Sequence, residues 1–426
     1  MENTITQLKQ NNRLLNIIRC NPGISKNILA EQFDVSWPTM SNTIEACRNA
    51  EILSADSSIQ LNPNYAHMIG VSVGSAQIKL CIIDMNFEMI TSATFKKIIK
   101  RLSIFSTATK FMEENEIPLE NFACFKTASN LYNLQSQMDS IMEDITSLIE
   151  NQQLFNLNII SIGVTFTGAV DNLNKKIIKS HNLDFISDKS LSNIIFPNRI
   201  DYFESKNINL YMDNNSNSSV VAEKYYLYNP LNSNYKYRTK KNVMTIYLGA
   251  GIGSGMVFNN KLYRGASNFI GELGHIDIPQ FPNMVYDNKK PDDKSCSCGS
   301  ENCLDFRIRT DVFEMSMEEF SLLNSVAVDE YFEKHPKKLE IMAYYIGYII
   351  NLLINILNLD LIIFTGKFRL LLNRMWLPLY RQINTNKLSY ISNECTLIAS
   401  NLGVTSPSIG VAICSYFDKI QEEIEW

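Results

Sequence analysis

Tyr247-Leu-Gly-Ala-Gly-Ile-Gly-Ser-Gly255 follows an apolar run, Gly271-Glu-Leu-Gly-His275 comes next, and Cys296-Ser-Cys298-Gly-Ser-Glu-Asn-Cys303 closes the stretch. The glycines carry no Cβ, so several backbone N–H groups can approach a phosphate or a sugar. Three thiols spaced Cys-x-Cys-x4-Cys rarely arise by chance. With His275 they supply the four nitrogen and sulfur ligands of a tetrahedral zinc shell: His275, Cys296, Cys298 and Cys303. Four protein ligands leave no open position, which makes the expected metal structural rather than catalytic. The spacer 276–295 contains Lys289-Lys-Pro-Asp-Asp-Lys294 and reads as an added surface loop.

The chain has 426 residues, enough for two to four domains with a substantial core, and a formal net charge of −5. Its nine cysteines are odd in number and mostly scattered. Met1-Glu-Asn-Thr-Ile-Thr-Gln has neither a basic start nor an apolar run, so no secretory leader is expected and the thiols are not read as disulfides. The expected location is the cytoplasm. Residues 341–364 are apolar enough to raise a membrane reading, but Asn351, Asn355 and Asn358 line one helical face and Asp360 would add a charge in lipid. A buried helix turning into the strand Leu361-Ile-Ile-Phe364 is expected instead, with no membrane as partner.

Residues 1–62 read as three helices and a short wing. Leu8, Leu14, Leu15, Ile17 and Ile18 give the first helix an apolar face. Ser25 can cap a second helix that carries Ile28, Leu29 and Phe33 inward, and Ser36 can cap a third with Pro38 in its first turn. The short link Asp34-Val35 is the spacing of a helix-turn-helix. Docked as such modules dock, it would put Ser36, Trp37, Thr39, Ser41 and Asn42 in the major groove, with Asn42 able to pair with an adenine edge. The module holds Lys9, Arg13, Arg19, Lys26 and Arg48 against Glu2, Glu31, Asp34, Glu45, Glu51 and Asp56, a net charge of −1. A single copy is therefore expected to bind DNA weakly, and a three-helix module for protein contacts is the alternative.

The order of glycine loop, Gly-Glu-Leu-Gly-His and cysteine cluster resembles the ROK family, repressors and sugar kinases that share an actin-like ATPase fold. The resemblance implies an α/β, two-lobed body behind an amino-terminal winged helix-turn-helix. Its expected parts are residues 1–62 for DNA, 63–212 for a first lobe completed by 400–426, and 213–399 for a second lobe bearing the zinc site. After β-rich residues 68–84 come helices expected over 103–116 and 131–154, then the strand Ile159-Ile-Ser-Ile-Gly-Val-Thr165.

Against the family's kinases several positions have changed. Ser72, Ser75 and Ala76 stand in the loop where an Asp-x-Gly-Gly-Thr pattern handles phosphate, and Lys367 replaces the second glycine of a nucleotide-side turn. Counting back from Ala222-Glu223 places Asn214 on the first asparagine of the family's Asn-Asp-Ala-Asn motif and Asn215 on its catalytic aspartate. An amide has no basic site near neutral pH, so it cannot take the proton from a sugar hydroxyl. The resemblance assigns sugar contact to Asn182, Asn214, Asn215, Glu272 and His275. Glu272 and His275 are expected on one helical face.

The resulting expectation is a sugar-responsive regulator, not an enzyme, that represses carbohydrate genes and holds Zn2+. Its partners would be operator DNA, a monosaccharide or sugar phosphate, and further copies of itself in a homodimer or homotetramer. An ATP-dependent sugar kinase and a regulator controlled by a protein partner are the alternatives.

Overall fold

The computed structural model describes residues 2–102, 105–114, 121–249, 251–282, 295–316, 319, 325–384 and 395–426. Ala250 of the glycine loop and the basic stretch 289–294 lie outside them.

Twelve strands carry the body: β1 His67–Val73, β2 Gln77–Ile83, β3 Phe122–Lys126, β4 Ile159–Phe166, β5 Ala169–Asp171, β6 Lys176–Lys179, β7 Asn209–Asn214, β8 Val243–Leu248, β9 Ile252–Phe258, β10 Lys261–Tyr263, β11 Leu361–Thr365 and β12 Thr396–Ala399. They form two five-stranded sheets ordered β3-β2-β1-β4-β7 and β10-β9-β8-β11-β12. In each, a three-stranded antiparallel meander joins two further strands that run parallel to its first member. The same order twice in one chain is the duplicated, two-lobed plan expected of the body.

Both faces of the first sheet are covered, which is why β1 is buried at every position. Ile69, Val71 and Val73 pack toward the helices Ser92–Ile99 and Leu131–Glu150. The opposite face lies under the helix Ser406–Ile420 so closely that a Cβ at Gly70 would stand 1.8 Å from the Ser408 carbonyl oxygen. Gly410 of that helix meets Ser218 of the helix Asn215–Tyr226 just as closely, its added Cβ falling 1.6 Å from the Ser218 oxygen. A side chain at Gly70 would force the helix off the sheet, and one at Gly410 would force the two helices apart. Helix Asn215–Tyr226 also packs on β8 and β9, so these two helices form the joint between the sheets.

The amino-terminal module follows the expected pattern with two differences. Its first helix is broken at Asn11 into Glu2–Gln10 and Asn12–Cys20. Ile28 is 47% exposed rather than inward, because Leu29 and Ala30 take the buried face of Lys26–Phe33. Ser25 and Ser36 cap as expected, accepting from the Ile28 and Thr39 N–H groups. The wing is short, pinned by the Leu53–Leu61 bridge. Leu8, Leu15, Ile44 and Leu61 share one apolar core with Met68, Cys81 and the helix Ser406–Ile420, so the module is packed onto the first lobe.

Helix Pro336–Leu357 is long and apolar enough to cross a membrane by composition, yet half of its apolar window is buried in the second lobe. It packs on Leu371–Asn384, with Asn351 donating to the Ile383 carbonyl at 3.4 Å, and ends at Asn358 in the left-handed region. Helices fall at Phe105–Glu114 and Leu131–Glu150, the latter four residues shorter than expected because a 3-10 turn takes over at Gln152–Phe155. The basic loop 235–241 is a connection whose Arg238 and Lys240 carbonyls receive the buried ammonium of Lys224.

Candidate functional site

The metal cluster is built by two turns brought against each other. Gly271 adopts φ +88°, and a Cβ there would collide with the Ser254 carbonyl at 2.1 Å, so glycine alone lets residues 271–275 lie against β9. His275 ends a 3-10 turn, Leu273–His275, rather than sitting on a longer helix. Opposite it, Cys296 accepts from the Gly299 N–H at 2.8 Å, and the bridge between Asp277 and Cys303 closes the knuckle. The ligand atoms of His275, Cys296, Cys298 and Cys303 all lie within 4.8 Å of one another, with His275 Nδ1 3.6 Å from Cys296 Sγ. A tetrahedron with bonds of about 2.1 and 2.3 Å has edges of about 3.4 to 3.8 Å, so the donors fit one small cation. The Cys296 thiol is pulled down to about 3, first by Cys303 and then by His275, while Cys303 is pushed up.

His275 turns its other edge toward the interlobe side. Nε2 lies 4.0 Å from a Glu272 carboxylate oxygen, and the His181 ring meets the His275 ring edge-on at 4.5 Å. Asn182 sits over the glycine loop, where a Cβ at Gly251 would come within 2.9 Å of its amide nitrogen. Below them Asp305 accepts the Ile252 N–H at 2.7 Å, and burial pushes its carboxyl up to about 7. Glu272 remains 44% exposed, free to accept from hydroxyl groups. Glu272 thus lies beside His275, and Asn182 beside the glycine loop.

β7 runs directly into helix Asn215–Tyr226. Asn214 is its N-cap: its side-chain Oδ1 accepts from the Ser216 and Asn217 N–H groups at 2.6 and 3.2 Å, and its Nδ2 donates to the Gly168 carbonyl. Its side chain thus holds the turn in place. Asn215 donates to the Val73 carbonyl at 3.3 Å, and its Oδ1 is buried with no hydrogen-bond partner. That oxygen can accept from a hydroxyl but cannot act as a base. Asp213, the nearest acid, is buried and turned away into a two-pronged ion pair with Arg264.

The nucleotide side is cationic. Ser72 pairs across the sheet with Lys79, and Lys367 follows Gly366 at the end of β11. Burial pulls the Lys367 ammonium down to about 8, with Lys79 adding to the effect. No carboxylate stands at Ser72 to hold a magnesium ion.

In the helix-turn-helix, Ser36, Trp37, Thr39 and Asn42 are exposed on the first turns of helix Trp37–Asn49. Ser41 is half-buried and accepts from Lys26 Nζ at 3.0 Å, and that ammonium lies 5.6 Å from the Trp37 ring. Three side chains had no place in the sequence reading: His181, Arg264 and Asp305. Proximity in sequence to Asn182 and Cys303 was the only signal for His181 and Asp305; Arg264 is brought in by tertiary packing.

The sequence profile of the ROK family matches residues 125–415. The xylose repressor of Bacillus subtilis is 23% identical over 292 residues, 64% of this chain and 65% of that protein. The chain thus spans just under two thirds of that relative's length. A glucokinase of Streptomyces coelicolor is 25% identical over 172 residues, 39% of this chain and 43% of its own. Among solved structures, a ROK family transcriptional regulator described as a homologue of the E. coli MLC protein superposes with a TM-score of 0.66 at 14% identity, over 97% of this chain and 98% of the other. A ROK glucokinase from Streptomyces griseus with glucose and AMPPNP gives 0.55 at 16% identity, over 82% and 99%. At these identities the superpositions show the fold: an actin-like, two-lobed body with an amino-terminal helical module.

Proposed function

The chain belongs to the ROK family, and from that premise we propose that it is a sugar-responsive, DNA-binding transcriptional repressor of carbohydrate genes that has lost kinase chemistry. The observation that carries the reading is the pairing, in one packed chain, of an exposed and capped recognition helix with a sugar-kinase body whose proton-accepting position is the amide of Asn215. Similarity to xylose repressors supports the same reading.

Asn182, Asn215, Glu272 and His275 would hold a monosaccharide or its phosphate. Glu272 and the unpartnered Asn215 Oδ1 accept hydroxyl protons, and Asn214 holds the turn that presents Asn215. Ligand between the lobes would favour one closure of the joint formed by helices Asn215–Tyr226 and Ser406–Ile420. Because the helix-turn-helix shares a core with the latter, closure would be passed to the DNA-binding face as a population shift. The working division is residues 1–62 for DNA, 63–212 with 400–426 for the first lobe, and 213–399 for the second.

Zinc is the cation that the Cys3His donor set suits, and with four protein ligands it would serve as a crosslink between residues 275 and 296–303. A second copy of the chain would supply the two recognition helices that a net-negative module needs. The exposed apolar side chains Leu352, Ile356, Trp376, Leu377 and Tyr380 offer it a surface. Action on DNA would place the protein in the cytoplasm. Selection of the full chain on a random DNA library tests the reading: an enriched palindromic motif is expected, and no enrichment would refute it. In the latter case exposed Ile28, Val35 and Trp37 favour a protein-contact role for the module.

A further inference from the structure

A cavity of about 580 Å³ lies where three parts of the chain meet. Arg19 and Cys20 of the amino-terminal module form one wall, Phe87 and Glu88 beyond β2, with Asn401 of the segment that completes the first lobe, a second, and Arg369 of the second lobe a third. Its size falls in the range of roughly 300 to 1,000 Å³ typical of small-molecule sites. None of Asn182, Asn215, Glu272 or His275 lines it. Helix Asn215–Tyr226 connects the two places: Asn215 begins it, whereas Tyr225 and Tyr226 at its other end line the cavity, about 15 Å away at 1.5 Å per residue.

The lining is aromatic and cationic. Phe87, Phe122, Tyr225, Tyr226 and Tyr228 supply rings, and the charged members are Arg19 and Arg369 against Glu88 alone. Glu88 is already engaged by the Asn229 amide at 2.8 Å. Arg19 lies on the Phe87 ring at 3.8 Å and donates to the Met85 carbonyl at 2.9 Å, while its Nη2 is buried with no hydrogen-bond partner among the described residues. Arg369 donates from Nε to the Ser400 carbonyl at 2.8 Å, and its Nη2 has no partner among the described residues. The acid nearest Arg369 in effect is Glu223, whose oxygen is already taken by Thr365 and Ser400.

We propose that this junction is a second effector site, separate from the sugar pocket, that takes a small organic anion bearing an apolar ring. The oxyanion would meet the Arg369 guanidinium, with Arg19 adding its field, and the ring would lie against the tyrosines. An anion held there touches the DNA-binding module and both lobes at once, so it biases their relative arrangement whatever occupies the sugar pocket. The inference does not rest on sugar binding.

Isothermal titration calorimetry of the full chain with benzoate, phenyl phosphate and neutral benzyl alcohol tests it. At least one of the two anions should bind and benzyl alcohol should not; which anion binds distinguishes a carboxylate site from a phosphate site. Arg369→Gln should weaken the anion at least tenfold, while Glu272→Gln in the sugar pocket should leave it unchanged. If Arg369→Gln does not fold, Tyr226→Ala takes its place and should weaken binding likewise. Failure of both anions to bind, equal binding of benzyl alcohol, indifference to the cavity variant, or loss on Glu272→Gln would each overturn the proposal.

Discussion

Arg264 grips Asp213 through both carboxylate oxygens, at 2.9 and 2.7 Å, while the Tyr211 hydroxyl donates to the same carboxylate at 2.7 Å. The acid closest to the kinase base position is thereby committed to a structural ion pair, and the position itself holds Asn215. Against the pattern of the family's kinases, Ser72 replaces an aspartate and Lys367 a glycine. The full chain should show no measurable phosphorylation of hexoses by ATP in a coupled assay. Turnover of about 1 per second or faster, ordinary for an enzyme, would refute this.

One zinc per chain is expected in protein purified without chelator, measured by elemental analysis. Cys298→Ala should lose the metal and lower the melting temperature, since binding energy at a structural site is also folding energy. A metal-free wild-type protein of unchanged stability would remove the site.

Glu223 gives a pH signature. Burial raises its carboxyl from the ordinary 4.5 to about 7, against the pull of Ser400 and Thr365. Between these values the folded chain keeps a proton that the unfolded chain has lost. The stability tied to this group is therefore full below about pH 4.5 and falls as pH rises to about 7. Glu223→Gln keeps an oxygen for both hydroxyls and removes the titration. Its melting temperature should change less than that of wild type between pH 5 and pH 8, as followed by circular dichroism at about 0.5-unit steps; equal slopes would show that Glu223 does not titrate there.

The recognition helix should read DNA through a neutral side chain. Asn42→Ala is expected to weaken one base position by roughly 1–3 kcal/mol and leave non-specific binding nearly unchanged, because Asn42 contributes nothing to the electrostatic term. Competition assays across single-base variants of the selected site measure both. Equal weakening on all sequences would place Asn42 outside base readout.

Strands β1, β4, β8 and β11 were legible as largely apolar runs followed by glycine turns, and the helix-turn-helix because Ser25 and Ser36 cap at the expected positions, whereas the sheet order was not legible from these runs. The cysteine cluster was legible from spacing, and the structure brings its four ligand atoms together. Burial of Ile28 was misjudged because periodicity fixes a face only to within one residue, and Leu29 with Ala30 wins the core. Asn214 was read in sequence only as a sugar contact; its capping of helix Asn215–Tyr226 is seen in the Ser216 and Asn217 N–H groups converging on its Oδ1. Arg264 was silent because its partner Asp213 is 51 residues away, and the junction cavity because its walls come from three parts of the chain.

The central claim is that sugar binding in the body alters DNA binding by the amino-terminal module. Its most direct test is the affinity of the full chain for its selected site, measured by fluorescence anisotropy with and without each member of a panel of monosaccharides and their phosphates. At least one sugar should shift that affinity by about fivefold or more, the scale of ordinary allosteric coupling, and Glu272→Gln should abolish the shift while leaving sugar-free DNA binding intact. A selected site whose affinity no sugar changes, or a shift that survives Glu272→Gln, would contradict the account.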